Sequence, residues 1–543
     1  MKTLHVICFL FLICIASLGF KLYLIDFDSP PITEDTYGYV LRAFSILNGD
    51  LSEHPRKTLG WSILLSPFIS SHESNDFLSY LNTARYLSIG ISLITIFPMY
   101  LLARRFFEQK FSLTAASLFA FEPHLNYNSG FGLSEPIFIL LIVLSVYFIL
   151  QKNVNFAYLS FLTVGILWWM RFNGIVTILI ISIIFFLVYK MSPKSLLRYG
   201  LCVLIFLMVV SPMLIQKNEQ FGDPLYFSQT GPFFIGQYSA ILAENTQEIE
   251  YTAFDYIEEH GITNFLELFV FTGIFNLAVV FYKLLFPFLI VLFPFGVLFS
   301  LRSFDQDKNY LKSIWVVILI ILFTFVLYFS VVPEKRLIYH VIPFLIIFSI
   351  IPIERVVKYG LSTFSFTHEQ RNYFLIGVIG VVIILSGVYT LRYDSPDSTL
   401  NQERMQFSEI LIENFDGKIL DAGDTLRLMK FTKLQNSPHL FKDFQTSRES
   451  EFLVQSNDIN EITLHASSLD ELISIGQEYD LKLISVNQEG VTEIWYPYLD
   501  NLYNNDEKYP FLIKVLDTEE IGFQKFKVKV FEINYDKFHS DNP

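Results

Sequence analysis

Adjacent carboxylates stand at Glu34 and Asp35, shortly after the first apolar segment of the chain. Thr33 can cap a helix that begins at this point, and Pro30-Pro31 stiffens the chain that leads into it. A carboxylate held beside an attacking hydroxyl or amine can accept its proton as a general base, and Asp35 is the better candidate for that role. The helix dipole alone also favours acids in a first turn, so a purely structural interpretation stays open.

A basic turn follows about twenty residues later and carries three side chains that can bind an anion, His54, Arg56 and Lys57. Such side chains hold phosphate or pyrophosphate through charge-assisted hydrogen bonds. The same turn would also be attracted to anionic lipid headgroups, by about 1 kcal/mol per cation. A carboxylate pair and a cationic turn at one membrane surface suit chemistry on a phosphate-linked substrate drawn from the bilayer.

Four further charged residues stand at the ends of apolar segments. Glu122 and Glu135 flank one short turn, and we expect them to face a cavity or a partner because an acid at membrane depth is otherwise costly. Arg171 and Arg336 lie on the predicted outer side, against the usual bias of cations toward the inner side. We expect them to bind a phosphate, with Arg336 the better candidate for a lipid phosphate, although either side chain can also extend to the headgroups.

The composition indicates a membrane protein. Of 543 residues, 52% are hydrophobic and 17% are charged, with a mean hydropathy of +0.44, whereas a soluble protein has about 25% charged residues. Apolar runs of roughly 18 to 24 residues can cross a ~30 Å hydrocarbon core as helices. The predicted fold is mainly α, a polytopic transmembrane helix bundle over residues 1–392 with about eleven spans. The predicted spans are Leu4–Leu24, Leu81–Leu102, Phe111–Tyr127, Leu133–Leu150, Phe156–Met170, Gly174–Tyr189, Leu197–Ile215, Phe281–Leu301, Leu311–Val331, Leu337–Ile353 and Tyr373–Leu391.

Positively charged loops alternate along the bundle and set its predicted orientation in the cell membrane. The N-terminus is expected to be cytoplasmic, which leaves the loop 26–80, the loop 216–280 and the C-terminal region outside. The segment Asn264–Val280 can also be an amphipathic helix that lies on the membrane, and this alternative leaves the orientation unchanged.

Residues 393–543 are predicted to form a separate extracytoplasmic domain of mixed α/β type, large enough to bury its own core. From residue 394 onward there are 28 acidic and 14 basic residues, which account for the whole net charge of −14. So acidic a surface argues against nucleic acid as a partner. The expected role is acceptor recognition or plain support. The predicted elements are helices at Gln402–Asn414 and Leu469–Tyr479, a strand–turn–helix at Lys418–Lys430, and strands at Leu481–Val486 and Gln524–Ile533.

Several short motifs, taken in this order and with their membrane sidedness, resemble the GT-C glycosyltransferases, polytopic enzymes that include the protein O-mannosyltransferases and the aminoarabinose transferases. The similarity covers about residues 1–390. The motifs are Glu34-Asp35, Pro55 to Gly60, Ser66-Pro67-Phe68, Arg85, Tyr100 to Phe106, Glu122-Pro123, Gly132 to Pro136, Arg171 to Gly174, Asn218 to Pro224, and Glu334-Lys335-Arg336 with Tyr339-His340 and Pro343.

The resemblance implies that a sugar is transferred from a polyprenyl-phosphate carrier to an acceptor protein, lipid or glycan on the outer face, by an inverting displacement. Asp35 would be the base with Glu34 beside it, Arg336 would bind the carrier phosphate, and Tyr339 would belong to the substrate-binding set. Some relatives use a divalent metal and others do not, so a metal is left open and no ligand is assigned. The Trp-Trp-Asp-Tyr-Gly motif is missing from the C-terminal region, which argues against an oligosaccharyltransferase.

Two other classes of protein also have many helices and buried acids. A transporter or lipid flippase would move its substrate without covalent change, but the internal repeat typical of transporters is not evident. A non-catalytic receptor or assembly protein would use the acidic domain as its working part. A transferase of this kind needs few catalytic groups. A polyprenyl-phosphate sugar carries its own leaving group, so the enzyme needs only a base, charge stabilisation and orientation.

Asp35→Asn should abolish sugar transfer, because an amide cannot accept the proton of the acceptor group. Membrane insertion and folding should stay intact, which the yield of solubilised protein checks. The measurement is transfer by membranes supplied with a labelled polyprenyl-phosphate sugar. Full activity in this variant would remove Asp35 from the mechanism.

Overall fold

The computed structural model describes residues 3–189, 191–243, 247, 249–301, 308–393, 398–421, 425–445, 459–488 and 496–541. Helices dominate residues 3–393, as the apolar runs predict. They are α1 (Thr3–Leu24), α2 (Asp35–Leu47), α3 (Gly60–Ser70), α4 (Phe77–Ala103), α5 (Gln109–Ala120), α6 (Pro123–Ser129), α7 (Glu135–Ile149), α8 (Asn155–Met170), α9 (Ile175–Val188), α10 (Pro193–Phe221), α11 (Thr230–Phe234), α12 (Tyr238–Ala243), α13 (Ala253–Phe265), α14 (Gly273–Leu284), α15 (Leu289–Ser300), α16 (Lys308–Phe325), α17 (Ile342–Arg355), α18 (Leu361–Thr363) and α19 (His368–Tyr393).

The bundle is built around α17. Among the described residues, six helical segments are long and apolar enough to cross a membrane, and the one that contains α17 is 94% buried. By contrast, α1 and α19 are only 17% and 22% buried, so most of their apolar side chains face outward, where lipid would cover them. Shorter apolar helices, including α7, α8 and α15, pack between the long ones. This arrangement confirms the predicted polytopic helix bundle.

Two of the predicted spans are interrupted. Phe111–Tyr127 is divided into α5 and α6, because Pro123 has no N–H and suits the first turn of a new helix. Phe281–Leu301 is divided between α14 and α15, with Pro287 in the turn that separates them. The count of eleven spans therefore stays a prediction.

The end of the segment Ala253–Leu284 and the turn that follows it contact the rest of the bundle. Asn276 Nδ2 donates to the carbonyl of Phe329 at 3.1 Å. Just beyond the segment, the carbonyl of Phe286 lies 3.1 Å from Nε2 of His124. The segment is one of the six that are long and apolar enough to cross a membrane, so its span and its surface orientation both stay predictions.

The C-terminal region contains a five-stranded sheet with the strand order β2-β1-β3-β5-β4. Strand β1 is parallel to β2 and β3, whereas β5 is antiparallel to β3 and β4. The mixed α/β character predicted for this region is confirmed. Its elements are α20 (Ser398–Asn414), β1 (Lys418–Asp421), α21 (Thr425–Asn436), α22 (Pro438–Lys442), β2 (Asn460–Ile462), α23 (Leu469–Glu478), β3 (Leu481–Asn487), α24 (Asp500–Asn504), β4 (Leu512–Asp517), β5 (Val528–Ile533) and α25 (Tyr535–Asp541).

Helices α2 and α3 of the loop 26–80 are fixed to the turn before α7. The Thr36 hydroxyl donates to the carbonyl of Phe131 at 2.6 Å, and Trp61 Nε1 donates to the carbonyl of Gly132 at 3.0 Å. Both acceptors come shortly before Glu135 in the chain. The loop that carries the acid pair is thereby held next to the start of α7.

Gly296→Ala should lower the stability of the bundle, because a Cβ at this position would run into the backbone carbonyl of Phe348 on α17. Overpacking at such a close helix approach costs about 1–3 kcal/mol. The measurement is the thermal unfolding temperature in detergent. Gly377→Ala is the matched control, since a Cβ there meets no atom within 4 Å and alanine favours a helix. Equal unfolding temperatures for the two variants would contradict the close packing of α15 on α17.

Candidate active site

Asp35 and Arg336 meet although 301 residues separate them in the chain. Arg336 Nη1 donates to Asp35 Oδ2 at 2.6 Å, and both side chains are 31% exposed. Asp35 is the first residue of α2, and Arg336 lies in the short 3-10 helix that precedes α17. Arg336 Nε also donates to Glu334 Oε2 at 2.5 Å. This pair joins the N-terminal loop to the late part of the bundle.

Lys57 supplies a second cation to the same carboxylate. Its Nζ lies 3.6 Å from Asp35 Oδ1 and 5.6 Å from the ring centre of Tyr39. Burial alone would raise the pKa of Asp35, but the charges of Arg336, Lys57 and Arg56 outweigh that effect and hold the pKa well below its ordinary value. Asp35 is therefore ionised at neutral pH, with a cation at each of its oxygens.

A second ion pair lies beside the first. Arg171, directly after α8, contacts Glu135, the first residue of α7, with Nη1 to Oε1 at 2.5 Å. Together with Arg336 they line a cleft of about 190 Å³ that is partly open to solvent. Within the described residues, Glu135 Oε2 and Asn173 Oδ1 are buried acceptors without a hydrogen-bond partner. Because buried acceptors normally have partners, this cleft offers two acceptors to a ligand that donates hydrogen bonds. The lining residues are Glu135, Phe138, Ile139, Arg171, Asn173, Arg336, Leu337 and His340.

A second cleft, also partly open to solvent, is lined by Lys57. Arg336 lines the first cleft and Lys57 lines this one, so the Asp35 carboxylate contacts one residue from each. Asp35 is not among the lining residues of either cleft, and it is linked to them through these two cations. The lining residues are Gly38, Tyr39, Arg42, His54, Lys57, Thr58, Leu59, Ser62 and Phe444.

The three basic-turn residues have different surroundings. His54 Nδ1 accepts hydrogen bonds from the backbone N–H groups of Arg56 and Lys57, at 3.0 Å each, so it supports the turn from within. With the Gln229 amide oriented so that its oxygen faces Arg56, that oxygen accepts from Nε at 2.7 Å and Nη2 at 2.9 Å. The loop between α10 and α13 thus covers the turn, and Lys57 is the member that contacts Asp35.

Two predicted binding residues lie away from this cluster. Glu122 is fully buried and caps α6, since its Oε2 accepts from the N–H of Leu125 at 2.7 Å. Tyr339 is 7% exposed and its ring packs on His124, with ring centres 6.0 Å apart. Glu122 thus serves as a helix cap and Tyr339 packs in the core, and their predicted role in substrate binding stays a prediction.

Glu34, the predicted catalytic partner of Asp35, has a different contact. It is the N-cap residue of α2 and its side chain makes no cap hydrogen bond. Its carboxylate lies 2.8 Å from Lys430 Nζ on α21. Glu34 already has helical φ and ψ, and successive residues of a helix point about 100° apart, so the two adjacent acids have different neighbours.

Residues outside the predicted set complete the surroundings of Arg336. Tyr238, at the start of α12, is close enough to Glu334, Arg56 and Arg336 to interact with them electrostatically. Burial raises the pKa of the Tyr238 hydroxyl, and the negative charge of Glu334 raises it further. Glu334 was detectable from its position two residues before Arg336. Nothing in the sequence indicates that Tyr238 lies here, because a loop that folds back over a site has no periodic pattern of apolar residues.

A divalent metal does not fit the acids assembled here. Among the described residues there is no group of three or more His, Cys, Asp or Glu side chains that could hold a metal ion. The oxygens of Asp35 face Arg336 and Lys57, and Glu135 faces Arg171. Cations of the chain therefore take the places that a metal would need, and we derive no step through one.

The fold resembles that of solved membrane enzymes. The apo crystal structure of the Archaeoglobus fulgidus oligosaccharyltransferase matches with a TM-score of 0.58 and 11% identity, over 91% of this chain and 71% of that chain. The oligosaccharyltransferase AglB from the same organism, in complex with an inhibitory peptide and a dolichol-phosphate, matches with a TM-score of 0.51 and 13% identity, over 94% and 73%. ArnT from Cupriavidus metallidurans bound to undecaprenyl phosphate gives a TM-score of 0.49 and 10% identity, over 98% of both chains.

These solved proteins are GT-C superfamily membrane glycosyltransferases. The TM-scores of 0.58 and 0.51 show that this chain shares the fold of the oligosaccharyltransferase structures, which confirms the predicted fold class. No protein-family model matches the sequence and no curated protein matches it, so the relationship is visible through the structure.

The Asp35–Arg336 pair predicts a pH-dependent loss of stability in Asp35→Asn. A folded-state pKa below the unfolded value of about 4 means that the stabilisation is present above that pH and fades as the pH falls below it. We expect the unfolding temperature of the variant to lie about 2 °C below that of the wild type at pH 7, with the gap closing below about pH 4.

Asp28→Asn is the matched control, because Asp28 is an exposed acid in the same loop. It should leave the unfolding temperature close to that of the wild type over the same pH range. A gap in Asp35→Asn that is independent of pH would show that packing, and not charge, carries the effect.

Proposed function

We propose that this protein is a membrane glycosyltransferase that moves a sugar from a polyprenyl-phosphate carrier to an acceptor on the extracytoplasmic face. The contact between Asp35 and Arg336 carries the proposal. A carboxylate base and a phosphate-binding cation at one point are what an inverting displacement from a lipid phosphate requires. The fold supports the same class of reaction, since the similar enzymes of known structure are glycosyltransferases.

The cleft beside Arg336 suits the sugar and the phosphate of the donor. Arg336 and Arg171 supply positive charge for the phosphate, and Arg forms paired hydrogen bonds with phosphate oxygens. Sugar hydroxyls donate hydrogen bonds and therefore need acceptors. Glu135 Oε2 and Asn173 Oδ1 are two acceptors without a partner among the described residues. The cleft on the Lys57 side is then left for the acceptor.

In the proposed step, Asp35 takes the proton of the acceptor group as that group attacks the anomeric carbon. The bond from that carbon to the phosphate oxygen breaks, and the carrier phosphate leaves with the bonding electrons, stabilised by Arg336. A carboxylate held by two cations is a weak base. Donor phosphate competes with Asp35 for Arg336, which raises the pKa of Asp35 and makes the carboxylate available when the donor is bound.

The test is Arg336→Gln in purified protein supplied with a labelled polyprenyl-phosphate sugar. We expect kcat to fall by about 10²–10³, the usual loss when one group that stabilises developing charge is removed. Lys335→Gln is the matched control, since it removes a neighbouring cation with no described contact to Asp35 and should keep near wild-type transfer.

Three outcomes decide the proposal. Consumption of the carrier and labelling of an acceptor by the wild type, lost in Arg336→Gln alone, supports it. Unchanged transfer in Arg336→Gln would overturn the assigned role of Arg336. Movement of the labelled lipid across a vesicle membrane without covalent change would overturn the transferase and favour a flippase.

A further inference from the structure

The C-terminal domain packs directly on the helix that carries Asp35. Phe431 and Leu434 of α21 belong to one hydrophobic cluster with Tyr37 and Phe77. The ring centres of Phe431 and Tyr37 are 6.3 Å apart. Tyr37 stands two residues after Asp35 and is fully buried. The domain therefore reaches the first turn of α2 through a dry aromatic contact.

Two cations of α21 hold the chain just before Asp35. Lys430 Nζ lies 2.8 Å from Glu34 Oε1, and the Lys430 side chain is 9% exposed. Arg427, which is buried, donates from Nη1 to the carbonyl of Pro31. Residues three apart lie on the same face of a helix, so one face of α21 makes both contacts.

The far end of α2 is held by the same domain. Asn48 Nδ2 donates to the carbonyls of Lys442 and Phe444, at 2.8 and 2.9 Å. Phe444 also lines the cleft on the Lys57 side of Asp35. Helix α2 is thus clamped at both ends by residues 427–444, which is more than passive support of the bundle requires.

We propose that the C-terminal domain sets the position of the base, with Lys430 and Arg427 as positioning residues that act on Asp35 through Glu34 and Pro31. The inference rests on the proposed function. It follows from the short distance along the chain: Asp35 adjoins Glu34, and Pro31 is only four residues earlier. A displacement of about 1 Å of a reacting group can lower a rate by up to about 100-fold, so an anchor beside the base bears on kcat.

The test measures kcat and KM for the polyprenyl-phosphate sugar in Lys430→Ala, Lys430→Arg and Arg427→Ala. We expect kcat to fall about 10- to 100-fold in the alanine variants, with KM for the donor little changed, because Arg336 and Arg171 stay in place. Lys430→Arg should keep most of the activity, since it keeps the charge that faces Glu34.

Lys442→Ala is the matched control. Lys442 donates to Asn75 Oδ1 at 2.6 Å across the same domain contact, yet it does not contact Glu34. It should leave kcat near the wild-type value. An equal loss in Lys442→Ala and Lys430→Ala would mean that loosening the domain anywhere has the same effect, and it would overturn the specific role of Lys430.

A charge exchange keeps the test decisive if Lys430→Ala does not fold. The Glu34→Lys and Lys430→Glu changes should each lower kcat, and their combination should recover part of it. No recovery, or wild-type kcat in a folded Lys430→Ala, would overturn the inference alone. Absence of transfer by the wild-type protein would overturn the proposed function itself.

Discussion

The ion pair between Asp35 and Arg336 joins the two ends of the helical part of the chain in a partly buried place. Charges there lose hydration, and each depends on its partner for compensation. Lys57 and Glu334 extend the pair, so opposite charges alternate through the contact. The position of the N-terminal loop, the start of α17 and the protonation state of Asp35 all depend on this contact.

The site is consequently polar, charged and already assembled. Fixed charges aimed at a reacting centre stabilise developing charge without reorganisation, which is the main advantage of a preorganised site. The two clefts beside Asp35 differ in lining: one carries Arg171 and Arg336 with two buried acceptors, and the other carries Lys57 beside Tyr39. The proposed function uses this difference by assigning the anionic donor to the first cleft and the acceptor to the second.

The acidic C-terminal domain contacts the start of α2 through specific side chains. The domain has a net negative charge, but two cations of α21 make its contact with the N-terminal loop. Arg427 faces the carbonyl of Pro31, and Lys430 faces the carboxylate of Glu34. The contact of Glu34 with this domain also explains why the two adjacent acids have different partners. The helix bundle and the C-terminal region therefore meet directly at α2.

The sequence by itself determined the helix bundle and the mixed α/β region, because apolar length and alternation are local properties. The roles of Asp35, Lys57, Glu135, Arg171 and Arg336 stay predictions, although the structure joins these side chains in neighbouring ion pairs. The sequence could not separate Glu34 from Asp35, or detect that Glu122 and Tyr339 belong to a helix cap and to the core. Those assignments depend on which way a side chain points and what approaches it. Tertiary packing alone brought Tyr238, Arg427 and Lys430 to the site, since contacts between residues hundreds of positions apart leave no periodic trace in one sequence.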